Sequence, residues 1–491
     1  MEKLLKIKTL GQLKASGYES KSIKEELRAN LIEKLKKKEK VFDTIKAFDE
    51  TVIPDIERAI LSRHNILLLG LRGQAKTKIA RLMTNLLDEY IPFIKGTELN
   101  DDPLNPLSRQ ALDLIEKHGD DTEIAWMHRS DRYTEKLATP DVSVADLIGD
   151  VDPIKAASMK LPYSDERVIH FGLIPRAHRG IFVINELPDL QARIQVSLFN
   201  ILQEGDIQIR GFKLRLPLDI QFVFTANPED YTNRGSIVTP LKDRIESQIL
   251  THYPKDISTA KEITLQEASL SEAQKKSISG SELIENLLEQ IGFEARSNEF
   301  VDPKSGVSAR LTISGYETIF STAERRMILN GESKTHLRIS DFWGVIPAIT
   351  GKIELVYEGE QEGAMIVAQN LISKSIRNQF KNYFPDPEKL KKKKEANPYL
   401  EIIEWFSNGN EVNILNDCSE KEYTTALNEV PGLADVVKKL HPKISANEKY
   451  LLMEFLLHGL SEFSLLSKNN LVKGLRFKDL FSSVFNNEKD S

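Results

Sequence analysis

NILLLGLRGQAKTK, residues 65–78, decides how the rest of the chain is read. Apolar residues up to Leu69 run into Gly70, Leu71, Arg72, Gly73, Gln74, Ala75, Lys76 and Thr77, and a helical pattern, IARLMTNLLDEY, follows. Strand, glycine-bearing loop and helix start, in that order, form a phosphate cradle. Successive backbone N–H groups wrap the anion, the lysine reaches the outer phosphates, and the hydroxyl faces Mg2+. On this reading residues 70–77 hold a nucleoside triphosphate, with Lys76 on its β and γ phosphates and Thr77 on the metal. Ala75 stands where the common pattern has its second glycine.

Further apolar runs follow the same grammar. Asn65–Leu69, Thr122–Met127, Gly180–Ile184, Ile220–Thr225 and Gln248–Tyr253 alternate with helical patterns, which predicts an α/β domain with a mostly parallel sheet. In RGIFVINELPDL, residues 179–190, the strand ends in Asn185 and Glu186, a polar pair at the end where open α/β sheets bind ligands. A nucleotide hydrolase places there an acid for the Mg2+ shell and then a glutamate that polarises the attacking water. Glu186 fits the second task, and Asn185 fills the first as a neutral amide. A hydrogen bond to a charged group contributes roughly 1.5–3 kcal/mol, so its loss predicts turnover about ten- to a hundredfold slower. DIQFVFTANPEDY, residues 219–231, is another strand that delivers Asn227 beside Glu186, to hold the water or sense the γ phosphate.

Composition bounds the rest. The 491 residues carry 67 Lys and Arg against 73 Asp and Glu, a net charge of −6, with 40% hydrophobic and 29% charged residues. That balance predicts several folded domains and excludes disordered or collagen-like chains and a uniformly basic nucleic-acid coat. No apolar run approaches the ~20 residues of a membrane span, and the Lys-bearing start lacks the apolar region of a signal peptide. A cytoplasmic protein without a membrane or nucleic-acid partner is expected. Cys418 is the single cysteine, and no Cys or His spacing fits zinc, so metal is expected to arrive with a ligand. Residues 1–45 read as a helical segment with Leu27, Ile32 and Leu35 as its apolar stripe, and 46–255 as the nucleotide-binding core. Residues 256–384 read as helical, with Phe342, Val345, Ile346 and Ile349 on one buried face. FPDPEKLKKKKEANP, residues 384–398, reads as a linker before a helical region, 385–491, where Ser445 and Glu448 form a capping box.

The order of these pieces resembles the AAA+ ATPases, in the branch of the magnesium chelatase ATPase subunit and the MoxR proteins, over about residues 20–380. The stretches that carry it are VADLIGDVDPIKAA (144–157), FGLIPRAHRGIFVINELPDL (171–190) and FTANPEDY (224–231), and GQAKT resembles many MoxR phosphate loops. The resemblance implies an α/β AAA+ P-loop module followed by a helical lid and a helical C-terminal region. It also implies ATP hydrolysis with Mg2+ in a homo-oligomeric ring, a hexamer in the family, that remodels a protein partner. TPLKDRIESQI puts Arg244 at the arginine finger, and GVSARLTISGYE puts Arg310 at sensor 2, with Arg234 as a further candidate for either task. Family partners often carry a von Willebrand factor A domain. This chain has no Asp-x-Ser-x-Ser pattern, so that partner would be a separate protein. The hairpin pattern IQIRGFKLRL (207–216), with Arg210, Lys213 and Arg215, and the insert at 140–175 are expected to line the pore face and contact the partner. Two alternatives stand beside this motor: a nucleotide-binding switch or scaffold with little hydrolysis, motivated by Asn185, and a literal magnesium chelatase subunit. An enhancer-binding activator would need GAFTGA, which is absent.

Overall fold

The apolar runs assemble around one sheet. A computed structural model describes residues 4–163, 165–209, 215–228, 236–393, 397–471 and 474–480, and the chain divides into two units, Met1–Tyr253 and Pro254–Ser491. The first unit holds strands β1 (Ile66–Leu69), β2 (Tyr133–Leu137), β3 (Gly180–Asn185), β4 (Ile220–Ala226) and β5 (Ser247–Leu250). All run parallel, in the order β5-β1-β4-β3-β2. Every residue of β1, β3 and β4 is buried, because a parallel sheet is covered on both faces. Alternate side chains serve opposite cores: Leu67, Leu69, Phe182, Ile184, Phe222 and Phe224 on one face, Ile66, Leu68, Ile181, Val183 and Val223 on the other.

One expected strand lies elsewhere. The run read at 122–127 forms Ile124–His128, which pairs antiparallel with Tyr90–Ile94 outside the core sheet. The sheet's edge is instead β2, whose sequence YTEKL is half-exposed and polar and so carries no apolar run. The N-terminal segment joins this unit through helix α1 (Ile23–Lys37), which contributes Ile23, Leu27 and Leu31 to one core. The expected stripe is displaced: Ile23, Leu27 and Leu31 are buried, whereas Ile32 is half-buried and Leu35, in the last turn of α1, is 40% exposed. Glu26 of α1 takes two hydrogen bonds from Arg132, at 2.7 and 2.6 Å. Both are buried, and Arg132 immediately precedes β2.

The helix that follows the glycine-bearing loop is α2 (Lys76–Leu82). In the insert, Gly149–Val151 pairs antiparallel with Ile169–Phe171. The hairpin expected at 207–216 has its arms, Asp206–Gln208 and Arg215–Pro217, paired antiparallel. Its tip with Arg210 and Lys213, the side chain of Arg215, and Arg234 lie outside the described residues.

The second unit is built on α3 (Glu282–Ser297), α4 (Arg310–Leu329), α5 (Ala364–Tyr383) and α6 (Ala446–Glu462). One core runs from Ile278 to Phe477, on both sides of the stretch read as a linker. That stretch opens with a helix, Pro387–Lys393, and Tyr399, fully buried, donates its hydroxyl to the Pro385 carbonyl at 2.6 Å. The Phe342-to-Ile349 stripe is buried as expected, though it spans a 3-10 turn, Ile339–Val345, and a short helix opened by Pro347. The Ser445–Glu448 capping box starts α6. Among the helices stands a three-stranded antiparallel sheet of Val412–Leu415, Gly474–Lys478 and Ser467–Leu471, which the sequence reading did not find.

Candidate functional site

The C-terminal ends of β1, β4 and β3 meet the start of α2 because β4 lies between the other two strands. At the exit of β1 the Gly70 N–H donates to the Ala226 carbonyl at 3.1 Å, and a Cβ at Gly70 would fall 1.9 Å from Thr251 Oγ1. Gly73 and Ala75 are both left-handed, with φ of 73° and 56°. The backbone at Ala75 therefore takes the conformation that glycine adopts without strain. Residues after β5 brace the loop. Thr251 donates to Gln74 Oε1 at 2.7 Å and the Tyr253 hydroxyl donates to the Arg72 carbonyl at 2.8 Å.

Lys76 is 7% exposed. Its ammonium donates to Asn227 Oδ1 at 2.7 Å, to the Leu71 carbonyl at 3.0 Å and to the Gly70 carbonyl. Asn227 Nδ2 in turn donates to Glu186 Oε2 at 2.9 Å. Glu186 is itself left-handed, φ 54°, directly after β3, and its N–H donates to Thr225 Oγ1 at 3.2 Å. Thr77 Oγ1 donates to Asn185 Oδ1 at 3.4 Å, and Thr225 Oγ1 donates to the same oxygen at 3.1 Å. Lys76, Thr77, Asn185, Glu186 and Asn227, scattered over 150 positions of sequence, thus form one network.

Glu135 joins them without having been singled out. Asn185 Nδ2 donates to Glu135 Oε1 at 2.6 Å, while Arg81 and the Tyr133 hydroxyl donate to Oε2 at 3.0 and 2.9 Å. The hydrogen bond it donates to Glu135 holds the Arg81 guanidinium above its ordinary range, and burial pushes the Tyr133 phenol up. No sequence motif marks Glu135. Only the pairing of β2 with β3, which sets Glu135 opposite Val183 and Leu137 opposite Asn185, brings it here.

Of the two expected arginines, Arg244 bonds to residues outside this network and Arg310 belongs to the second unit. Arg244 caps the helix Thr239–Asp243, donating to Gln203 Oε1 at 3.1 Å and to the Pro240 carbonyl at 2.7 Å, with its guanidinium 4.8 Å from the Phe199 ring centre. Arg310 is the exposed first residue of α4, in the second unit. Among the described residues no group of three or more His, Cys, Asp or Glu could hold a metal, and no helix is long and apolar enough to cross a membrane.

Comparison with known proteins accords with this geometry. A family profile described as the Sigma-54 interaction domain matches residues 162–249, the span of β3, β4 and Asn227. The magnesium-chelatase 38 kDa subunit of Cereibacter sphaeroides is 27% identical over 206 residues, covering 40% of this chain and 54% of that protein. The subunit of the same name from Rhodobacter capsulatus is 26% identical over 201 residues, covering 40% and 51%. The chain spans about half the length of the curated relatives it matches. A solved assembly of the BchI and BchD subunits of magnesium chelatase aligns with 65% of this chain and 98% of its own, at 20% identity and a TM-score of 0.34. Loop, sheet and sequence matches make this an AAA+ P-loop protein. Within that class its sequence is similar to the magnesium-chelatase 38 kDa subunits.

Proposed function

We propose that the protein binds ATP with Mg2+ and hydrolyses it, as a ring-forming, cytoplasmic, MoxR-like motor that remodels a separate protein partner. The observation that carries this reading is the chain Lys76–Asn227–Glu186, 2.7 and 2.9 Å per link. It ties the phosphate-binding cation to the base through one amide. Residues 70–77 would cradle the phosphates, Lys76 neutralising the outer ones. Glu186, held by Asn227, would take a proton from the attacking water, and Asn227 would keep that carboxylate aimed. Thr77 Oγ1 and Asn185 Oδ1 lie close together as oxygen donors suited to a hard cation. These two residues would hold Mg2+, which when bound neutralises charge on the β and γ phosphates.

Arg244 stands apart from its own subunit's network, as a finger serving a neighbouring subunit would, and Arg310 would serve as sensor 2. The insert exposes Ile154 at 81% and Tyr163 at 63%, a surface suited to a partner. A von Willebrand factor A protein is the partner class the family resemblance implies. A second reading, a nucleotide switch with little turnover, is favoured by the neutral Asn185. Steady-state hydrolysis separates them. The motor reading expects Mg2+-dependent turnover in the native protein, lost in Lys76→Ala through binding and in Glu186→Gln with binding retained. Tight ATP binding without native turnover would overturn the motor in favour of the switch.

A further inference from the structure

Asn185 brings a neutral amide to a place where the chemistry asks for an acid, yet a carboxylate lies one hydrogen bond behind it. We propose that Glu135 acts through Asn185 as a positioning residue, supplying the negative charge that the metal side of the phosphate loop otherwise lacks. The inference rests on the nucleotide-site reading above.

Two features of the geometry carry it. A carboxylate only accepts hydrogen bonds, so the contact at 2.6 Å requires Asn185 Nδ2 to face Glu135. That turns Oδ1 toward the hydroxyls of Thr77 and Thr225, at 3.4 and 3.1 Å, and holds it on the metal side. The amide is thereby locked in one of its two flips. The second feature is polarisation. A hydrogen bond to an ionised acceptor is roughly twice as strong as a neutral one, and linked bonds polarise one another in a low-dielectric site. Electron density drawn through the amide toward Oδ1 makes that oxygen a stronger donor to a cation. Arg81 and Tyr133 occupy Oε2, leaving Oε1 to the amide. Arg81 is 65% exposed, so solvent screens its pairing with Glu135. Carboxylate and amide together present what an aspartate presents alone.

The test titrates a slowly hydrolysed thiophosphate analogue of ATP calorimetrically, with and without Mg2+. Glu135→Gln keeps a hydrogen bond to Asn185 and removes only the charge. It is expected to reduce the Mg2+-dependent gain in affinity about tenfold, with the loss confined to the metal-containing titration. In Asn185→Asp/Glu135→Gln the acid and the amide exchange places, and most of the gain should return. Glu135→Gln with the native Mg2+ gain overturns the proposal, as does a double variant no better than Glu135→Gln. A loss in both titrations, with a lowered melting temperature that the double variant does not restore, assigns Glu135 a structural role only and also overturns it. Lys76→Ala controls the underlying reading: native nucleotide binding in that variant would refute the site itself, whatever Glu135 does.

Discussion

Ala75 and Asn185 are the two positions where the proposed phosphate site departs from the common pattern, and each departure has a physical consequence. A left-handed alanine costs roughly 1–2 kcal/mol, whereas glycine there loses about 0.5–1 kcal/mol in unfolded-state entropy. With φ at 56°, Ala75→Gly is therefore expected to stabilise the protein by about 0.5–1 kcal/mol, read as a higher denaturation midpoint. Asn185→Asp looks from sequence like a simple repair. The structure reverses that expectation, because the new carboxylate would meet Glu135 at the 2.6 Å contact that an amide N–H now makes. Alone, this substitution should lower stability by about 1–3 kcal/mol through the lost hydrogen bond and like-charge repulsion. Melting temperatures of Asn185→Asp with and without Glu135→Gln check the point. A single variant as stable as the native protein would contradict it.

Among the elements, β2 matters most to the site and was least visible in sequence. Its position depends on α1, since Glu26 holds the buried Arg132 that precedes β2 while Arg132 Nε donates to the Arg179 carbonyl at 2.8 Å. Removing one partner of a buried ion pair leaves the other charge uncompensated, at a cost of about 3–5 kcal/mol. Glu26→Ala should lose that much in urea unfolding, and nucleotide affinity should weaken with it as β2 loosens. Retained stability would mean that α1 is not coupled to the sheet. β1, β3 and β4 were legible because both faces of a central parallel strand are apolar. An edge strand has no such requirement, so YTEKL left no trace.

For the whole molecule, the two units contain separate cores. Residues 1–253 expressed alone should unfold cooperatively in denaturant, and a non-cooperative transition would show that this unit needs the rest of the chain. In the second unit, burial pushes the Glu289 carboxyl up to about 7, with Thr264 donating to it and Arg296 nearby pulling the other way. Its unfolded value is lower, so between about pH 4.5 and pH 7 the native state holds a proton that the unfolded state has released. Stability from this group is present below that window and declines as pH rises through it. Glu289→Gln should flatten that decline in melting temperature, and an unchanged pH profile would refute the assignment. At this scale the division between sequence and structure is plain. Sequence alone determined the strand-to-loop-to-helix order around residues 65–82, the sheet's central strands and the residues at their ends, because strand-to-loop-to-helix chemistry and two-faced burial leave local patterns. Only tertiary structure decided that the apolar run near residue 124 lies outside the sheet and that polar β2 forms its edge. It alone set Glu135 behind Asn185, since strand pairing joins residues 50 positions apart by hydrogen bonds between backbones, which no spacing along the chain records.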